Sequence, residues 1–432
     1  MSNTTEKDAR SFCEKRGGRV EERIGIGGEK NLVCAFDSTL TYDSGVELED
    51  NYEYDLFDYY DGNIENHDIL DEKQEREQKT TLMGKLVIAS VDAIMSSITR
   101  TLYTNSKYCV DIECLYAVDC SFYMKQVLKR LPKEYYDALP KSSESGNTVL
   151  AKDYYNFFKA CRIEPKAGDL WQKVENITKV KRGDIIAYKY IDSGHSTTGH
   201  VMVAYSTATK STAECKKPEG YVNQHWLWVS DSANSGHRED TRDNEGPYAS
   251  SFKYTAFSTT SPGRGSGVGI GKMWFNTGSK PFFRWSKVCG KANTEIKIAI
   301  GRPIKNCEVP AAIAWSGSGI DINVGDQVEL RYSGGKWQVS PETGGVDASG
   351  KEGCTATSGY ALPGKNEGLL CGRIGSDGPV FPVGNKYAFT ADKKGELYFC
   401  ANDDLTGQYG AGFADNEGSV HVIVDIIPSQ PV

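Results

Sequence analysis

Two patterns of hydrophobic and polar residues divide most of the chain. In the middle of the sequence, apolar residues recur every three or four positions in three stretches, which predicts helices at 80–103, 120–131 and 149–162. Apolar runs of the same region predict strands beginning near Asp184, His200 and Trp226. From about 304 to 427 the helical spacing is replaced by short alternating runs between Gly and Asn turns. This second pattern predicts a β-sandwich.

The second predicted helix begins at a cysteine, and this gives the sequence its first chemical feature. Asp119 is a good N-cap residue for a helix that starts at Cys120, and Leu131-Pro132 is a suitable end. The unpaired amides of a first turn and an adjacent imidazole both favour the thiolate form of a cysteine. His200 opens an apolar run about eighty residues later. We therefore predict that Cys120 is a nucleophile and His200 its base.

Length and charge narrow the classes of function. The chain has 432 residues, which is enough for two or three domains, and we predict boundaries at 1–79, 80–300 and 301–432. The formal charge of −8 argues against a nucleic-acid partner, since phosphate binding needs a basic face. No apolar run is long enough to predict a membrane span. The acidic stretch from Glu47 to Glu72 predicts a solvated loop.

Twelve cysteines are many for a cytosolic enzyme, and none forms a CxxC pair. We expect most of them to form disulfides, which predicts a periplasmic or secreted protein, although no signal segment is present in this sequence. Cys109 and Cys114 are close enough to bridge each other and leave Cys120 free, although either is an alternative partner for it.

The first residues resemble the small exported domain of hemolysin-type lipoproteins. The matching pieces are Ala9 to Cys13, Arg16-Gly17-Gly18 and Leu32 to Phe36. The resemblance implies a small N-terminal segment stapled by a disulfide between Cys13 and Cys34.

The middle region resembles the NlpC-type and CHAP-type cell-wall peptidases. Three motifs occur in the order found in those families, namely Asp119-Cys120-Ser121-Phe122, Arg182 to Tyr188, and Gly199 to Tyr205. Phe122 departs from the pattern, because many members have Gly there. The resemblance implies an α+β papain-like (NlpC-type) catalytic domain in which Cys120 and His200 cleave amide bonds without a metal or other cofactor.

A third residue must hold the imidazole in the tautomer that serves the thiol. Family geometry places this group at the end of the next strand, which indicates Asp231, with His237 and Asn234 as rivals. We also expect Tyr116, His237 and Asn234 to contact the substrate. The resemblance also implies that Tyr116 supports the oxyanion, although a packed core aromatic is the alternative. His195 is the fallback base.

The remaining titratable residues of this region have plainer interpretations. We interpret His225 and His67 as structural residues, and we expect Asp240 and Arg242 to form an ion pair that closes their loop.

The carboxy-terminal region resembles the LecA-type galactophilic lectins, which are small calcium-dependent β-sandwiches. The matching pieces include Ala314-Trp315, Gly319 to Asp326, Gly334 to Trp337, Gly368 to Gly375, and Ala401 to Gly418. The resemblance implies an all-β lectin-like sandwich that binds Ca²⁺. The implied ligands are Asp403, Asp415, Asn416 and a carbonyl near Val339.

The lectin pattern is incomplete. Thr406 and Gln408 match a threonine ligand only approximately, and Gly350 occupies the position of a histidine that contacts the sugar. The alternative interpretation of the acidic and amide residues is that they form strand-end turns in a domain used for docking.

Together these features predict a cysteine hydrolase that cleaves amide bonds in peptidoglycan stem peptides, as an endopeptidase or amidase, and is targeted to glycan by its last domain. One alternative is a glycan-binding adhesin or toxin whose papain-like domain is a non-catalytic scaffold. Another is a thiol protease, deamidase or transglutaminase that acts on protein. The expected partners are peptidoglycan or another bacterial glycan, and an inhibitor or immunity protein.

Overall fold

A computed structural model describes the backbone of three strands before residue 56 and most of the chain from residue 80 onward. Side chains are described at 80–104, 116–141, 148–189, 198–210, 225–257, 265–275, 297–341 and 343–429. The chain forms two compact units, Met1–Gln78 with Ser429–Val432, and Lys79–Pro428.

The first unit contains a three-stranded antiparallel sheet in the order β1-β2-β3. Its strands are β1 (Arg19–Ile24), β2 (Lys30–Thr41) and β3 (Glu47–Asp55). The prediction of a loop from Glu47 to Glu72 is therefore wrong at its start. Aromatic and β-branched residues on β2 and β3, such as Phe36 opposite Tyr52, favour pairing despite the acidic composition. The Cys13–Cys34 bridge lies outside the residues whose side chains are described.

Four helices are described in the second unit. They are α1 (Leu82–Ser97), α2 (Cys120–Leu128), α3 (Lys133–Asp137) and α4 (Ala151–Ala160). The three predicted helices are confirmed, with one correction, because the first ends at Ser97 and residues Arg100–Tyr103 form a strand. Ile98, Thr99 and Thr101 supply β-branched side chains that favour the extended backbone at this point. None of the helices in the described part of the chain is both long and apolar enough to cross a membrane.

A small sheet leads the chain to α2. Its strands are β4 (Arg100–Tyr103), β5 (Tyr108–Val110), β6 (Leu115–Val118) and β14 (Thr255–Ala256), in the order β14-β4-β6-β5.

A larger antiparallel sheet closes on itself. Its strands are β7 (Trp171–Val174), β8 (Ile185–Lys189), β9 (Gly199–Ala204), β10 (Thr209–Lys210), β13 (Gln224–Ala233), β15 (Gly267–Asn276), β16 (Phe282–Arg284) and β17 (Ile296–Pro303). The order β13-β15-β16-β17-β8-β9 returns to β13, so six strands form a closed ring. A separate hairpin joins β11 (Cys215–Lys217) and β12 (Gly220–Val222). The three predicted strand starts are confirmed to within two residues.

Successive residues of the ring strands point to opposite faces of the sheet, and both faces are buried. One face forms its own cluster, made of Ile186, Tyr188, Met202, Ala204, Leu227, Val229, Met273, Phe275, Ile298 and Ile300 with three residues outside the ring. The other face, including Ile185, Val201 and Val203, packs into the cluster that contains α1, α2 and α4. This packing fixes the start of α2 against the strands β9 and β13.

From Lys305 onward the chain is a β-sandwich of two four-stranded antiparallel sheets, as predicted. The strands are β18 (Lys305–Pro310), β19 (Ser316–Ile322), β20 (Gln327–Gln338), β21 (Leu370–Ile374), β22 (Phe381–Pro382), β23 (Lys386–Thr390), β24 (Gly395–Ala401) and β25 (Glu417–Ile427). The sheet orders are β18-β25-β20-β23 and β19-β24-β21-β22. Apolar side chains such as Val328, Trp337 and Phe399 fill the core between them.

The described cysteines contradict the disulfide prediction. Six are described and all six are free thiols: Cys120, Cys161, Cys307, Cys354, Cys371 and Cys400. Cys371 and Cys400 are fully buried beside Ala361, where a thiol serves as a small apolar side chain. The predicted bridge between Cys109 and Cys114 lies outside the described residues.

Candidate active site

The site is built around the start of α2. Strand β6 ends one residue before Asp119, which caps the helix with its side chain accepting a hydrogen bond from the amide of Phe122 at 2.7 Å. The predicted cap is confirmed, and Cys120 is the first residue of the helix. Amides of a first helical turn have no acceptor within the helix and attract negative charge. This position therefore suits a thiolate.

The pairing of β9 with β13 brings His200 to Asp231. Ala204 pairs with Val229 and Val203 with Ser230, and extending this register makes His200 and Asp231 diagonal neighbours on one face. The ring Nε2 of His200 lies 2.5 Å from Oδ2 of Asp231. The charge of Cys120 acts on the same imidazole, and Nδ1 is the ring nitrogen left for the sulfur, which itself lies 3.9 Å from Oγ of Ser121. The structure thus brings the three residues together in the order thiol, imidazole, carboxylate.

Asp231 is fully buried and is held by three donors. Besides His200, it accepts from Nε2 of His237 at Oδ2, 2.8 Å away, and from Nη2 of Arg242 at Oδ1, 2.9 Å away. Arg242 is itself buried and binds Asp240 through Nε at 2.8 Å and Nη2 at 2.7 Å. The expected ion pair between Asp240 and Arg242 is therefore present, and it also anchors the carboxylate behind the imidazole.

The charges of this cluster determine how His200 and Asp231 ionise. Burial opposes ionisation of Asp231, but the charges of His237, Arg242 and His200 hold its pKa well below the usual range. Burial also lowers the pKa of His200, but the charge of Cys120, followed by the charge and hydrogen bond of Asp231, raises it to about 10. An imidazolium facing the sulfur is thus favoured at neutral pH.

The site is covered rather than open. Cys120 is 4% exposed and His200 is 7% exposed, so the two residues do not line an open cleft. The side chains of Tyr123 and Met124 pack in the same core cluster as Cys120. A reagent or substrate must reach a sulfur that has little exposed surface.

The other predicted site residues have different environments. Tyr116 is buried in the core, on the strand that precedes the helix, whereas Asn234 is exposed just beyond the end of β13. Neither the predicted oxyanion role of Tyr116 nor a substrate role of Asn234 follows from these positions. His225 lies on β13, and burial lowers its pKa. The fallback base His195, like His67, lies outside the described residues.

Tyr154 was not singled out in the sequence, yet it lies near the site. This residue of α4 is fully buried, and its hydroxyl has no hydrogen-bond partner among the described residues. Burial, together with the charges of Tyr136, Cys120 and Asp119, raises its pKa well above the ordinary value. The amphipathic pattern of the helix predicted its burial but not its proximity to the thiol.

The predicted calcium ligands are only partly brought together. Asn416 donates Nδ2 to Oδ2 of Asp403 at 2.8 Å, and both residues are buried, whereas Asp415 is exposed. The Oδ1 atom of Asn416 is buried with no partner among the described residues. Burial, and the charges of Asp415 and Asp404, raise the pKa of Asp403. An orphaned amide oxygen beside crowded carboxylates fits a hard cation.

This donor set is small. No group of three or more His, Cys, Asp or Glu residues that could hold a metal occurs in the described part of the chain. Asp403 and Asn416 would supply two ligands, and the remaining ones would have to be carbonyl oxygens or water.

No protein-family model matches the chain, and no curated protein matches it. Among solved structures, the chain is similar to one described as "EclA N-terminal domain; PllA-like lectin", with 23% identity over 28% of this chain and 96% of that chain. The TM-score is 0.22, a value that supports no conclusion about fold or ligand.

Proposed function

We propose that this protein is a cysteine hydrolase that cleaves amide bonds. One observation carries the proposal, namely that His200 is hydrogen-bonded to Asp231 and lies beside the charge of Cys120 at the start of a helix. A nucleophile, a base and a group that orients the base are the three elements that thiol hydrolysis requires. Arg242 and His237 support it, because a carboxylate held by three donors keeps one position.

The reaction begins when the thiolate of Cys120 attacks the carbonyl carbon of an amide. The negative charge moves to the carbonyl oxygen, where backbone amides of the first helical turn stabilise it. The C–N bond then breaks, and His200 gives its proton to the leaving amine. Water, deprotonated by His200, attacks the thioester, and the carboxylate product leaves as the thiol is restored.

The proposed substrate is a stem peptide of peptidoglycan. The support is the resemblance of the motifs around Cys120, Asp184 and His200 to NlpC-type and CHAP-type peptidases. This substrate implies a periplasmic or secreted protein. A thiol protease or deamidase acting on protein would use the same three residues, and the product distinguishes these possibilities.

Mass spectrometry of fragments released from purified cell wall tests the proposal. The parent is expected to release peptides with new amino and carboxyl ends, and Cys120→Ala is expected to release none. Cys161→Ala is the matched control, because it removes a free thiol on α4's C-terminal side without touching the site. Equal products from the parent and Cys120→Ala would overturn the proposal.

A second candidate function is glycan binding by the β-sandwich. The specific observation is the unpaired Oδ1 of Asn416 beside Asp403, an arrangement that Ca²⁺ would complete. A glycan array probed with and without chelator tests it, with Asn416→Ala as the variant. Binding that is lost with chelator and with the variant supports a calcium-dependent lectin, and binding unaffected by either contradicts it. If the hydrolase proposal fails while this one holds, the adhesin or toxin alternative is favoured.

A further inference from the structure

We propose that Arg373, Trp315 and Tyr398 form a binding site for a sugar that carries a carboxylate, such as a uronic acid, on the β-sandwich. This site is separate from the thiol chemistry at Cys120 and from the calcium ligands. It rests on the positions of the three side chains and on the unused donors of the guanidinium.

The three residues meet on the face of the second sheet that points away from the sandwich core. Along β24, Leu397 and Phe399 are core residues, so Tyr398 between them lies on the opposite face. Arg373 is the direct partner of Tyr398 on β21. Trp315 immediately precedes β19, the strand on the other side of β24. The guanidinium carbon of Arg373 lies 4.0 Å from the ring centroid of Trp315 and 5.6 Å from that of Tyr398.

The guanidinium forms no ion pair with a carboxylate of the described residues, although the charge of Asp377 acts on it. The side chain of Arg373 makes no ion pair or hydrogen bond with any described residue, and its Nε is buried without an acceptor. A guanidinium in such a position ordinarily binds a carboxylate through two parallel hydrogen bonds. Burial lowers the pKa of Arg373, while the charges of Cys400, Tyr398 and Asp377 act in the opposite direction. By contrast, Arg331 of the same sandwich has Glu329, Asp425 and Glu164 around it.

Trp315 is held in an unusual backbone conformation. Its φ is +65°, which is rare for a bulky side chain and usually marks a turn or a ligand site where the surrounding structure fixes the strain. The indole packs over the buried pair Cys371 and Cys400, which anchors it beside Arg373. The ring is only partly buried, so part of its surface remains available.

These features favour a sugar acid over an acidic peptide. The guanidinium covers part of the Trp315 indole, so the exposed part of that ring and the Tyr398 ring are the apolar surface left for the C–H face of a pyranose, and the guanidinium binds the carboxylate. Strand β24 is already paired on both edges, by β19 and β21, so no free edge beside Tyr398 is available for an added peptide strand.

Calorimetry on the full chain tests the site with digalacturonate, its neutral methyl ester, and hexaglutamate. We expect digalacturonate to bind, the ester to bind at least about tenfold more weakly, and hexaglutamate not to compete. Arg373→Gln and Trp315→Ala should each weaken digalacturonate binding at least about tenfold. The matched control Arg331→Gln should bind as the parent does.

Each other outcome overturns the proposal. Absence of digalacturonate binding would show that the site does not exist. Equal binding of the ester would show that the carboxylate is not recognised, and equal binding of hexaglutamate would show that the sugar is not recognised. Binding that survives Arg373→Gln shows that the ligand lies elsewhere. Cys120→Ala and added chelator should leave binding unchanged, which separates failure here from failure of the hydrolase or calcium proposals.

Discussion

Replacing Asp231 with Asn tests the role of the carboxylate that is hydrogen-bonded to His200. The carboxylate accepts from three donors, His200 and His237 at Oδ2 and Arg242 at Oδ1. An amide of the same size offers one oxygen and one NH₂, so one orientation directs N–H groups at both imidazoles and the other directs them at Arg242. One orientation sets the N–H groups against the donors of Arg242, the other forces both imidazoles to accept at Nε2, and both leave Arg242 with Asp240 as its remaining acidic partner.

Two effects follow from Asp231→Asn. Breaking a buried ion pair costs about 3–5 kcal/mol, a large part of the roughly 5–15 kcal/mol that stabilises a typical domain. If the NH₂ faces His200, that residue must donate from Nδ1, which removes its ability to accept the thiol proton. A wrong tautomer lowers turnover by up to about 10⁴-fold in a serine triad, and we expect about 10²- to 10⁴-fold here.

A matched control separates the two effects. Asp184 is also buried, and it accepts from Nε and Nη2 of Arg302, each at 2.8 Å. Asp184→Asn should lower the unfolding temperature to a similar extent while hydrolysis, measured well below that temperature, stays within about twofold of the parent. If Asp231→Asn remains folded and hydrolyses cell wall at the parental rate, the assignment of Asp231 is refuted.

Three further predictions concern stability. The folded pKa of His200, about 10, exceeds its ordinary value of 6.5, so the stabilising contribution of the charged imidazole is complete below pH 6.5 and is lost as pH rises toward 10. The unfolding temperature should therefore fall between pH 6.5 and 10, and it should fall less in Cys120→Ala. An equal fall in both proteins would contradict the coupling between His200 and Cys120. Tyr154→Phe removes a buried hydroxyl that lacks a described partner and should raise stability by about 1 kcal/mol in urea unfolding, whereas a loss would show that the hydroxyl is bonded. Gly301→Ala would place a Cβ 2.1 Å from the Phe158 ring and should lower the free energy of unfolding by about 1–3 kcal/mol in the same assay. An unchanged free energy of unfolding would contradict this prediction.

Local patterns predicted the elements of the fold but not how the strands associate. The cap at Asp119, the helix at Cys120 and the strand starts are short-range features, and the sequence shows them directly. The closure of the ring depends on the pairing of β9 with β13, a long-range contact that no local period encodes.

The site shows the same division between local and long-range information. Asp231 was preferred by analogy, but its two additional partners depend on how the loop after β13 folds back through Arg242. The burial of Cys120 and the position of Tyr154 depend on side-chain packing, which the sequence pattern does not specify. The disulfide prediction was wrong for five of the six described cysteines, all but Cys120, because composition cannot distinguish a bridged thiol from a packed one.

The most direct test of the account is the rate of Cys120 alkylation by iodoacetamide at pH 7, measured by mass spectrometry of the folded protein. If His200 activates the sulfur, the parent should be alkylated faster than His200→Ala. Cys161, whose pKa burial raises to about 11, is an internal reference that should react slowly in both proteins. Equal Cys120 rates in the parent and in His200→Ala would contradict the proposed active site.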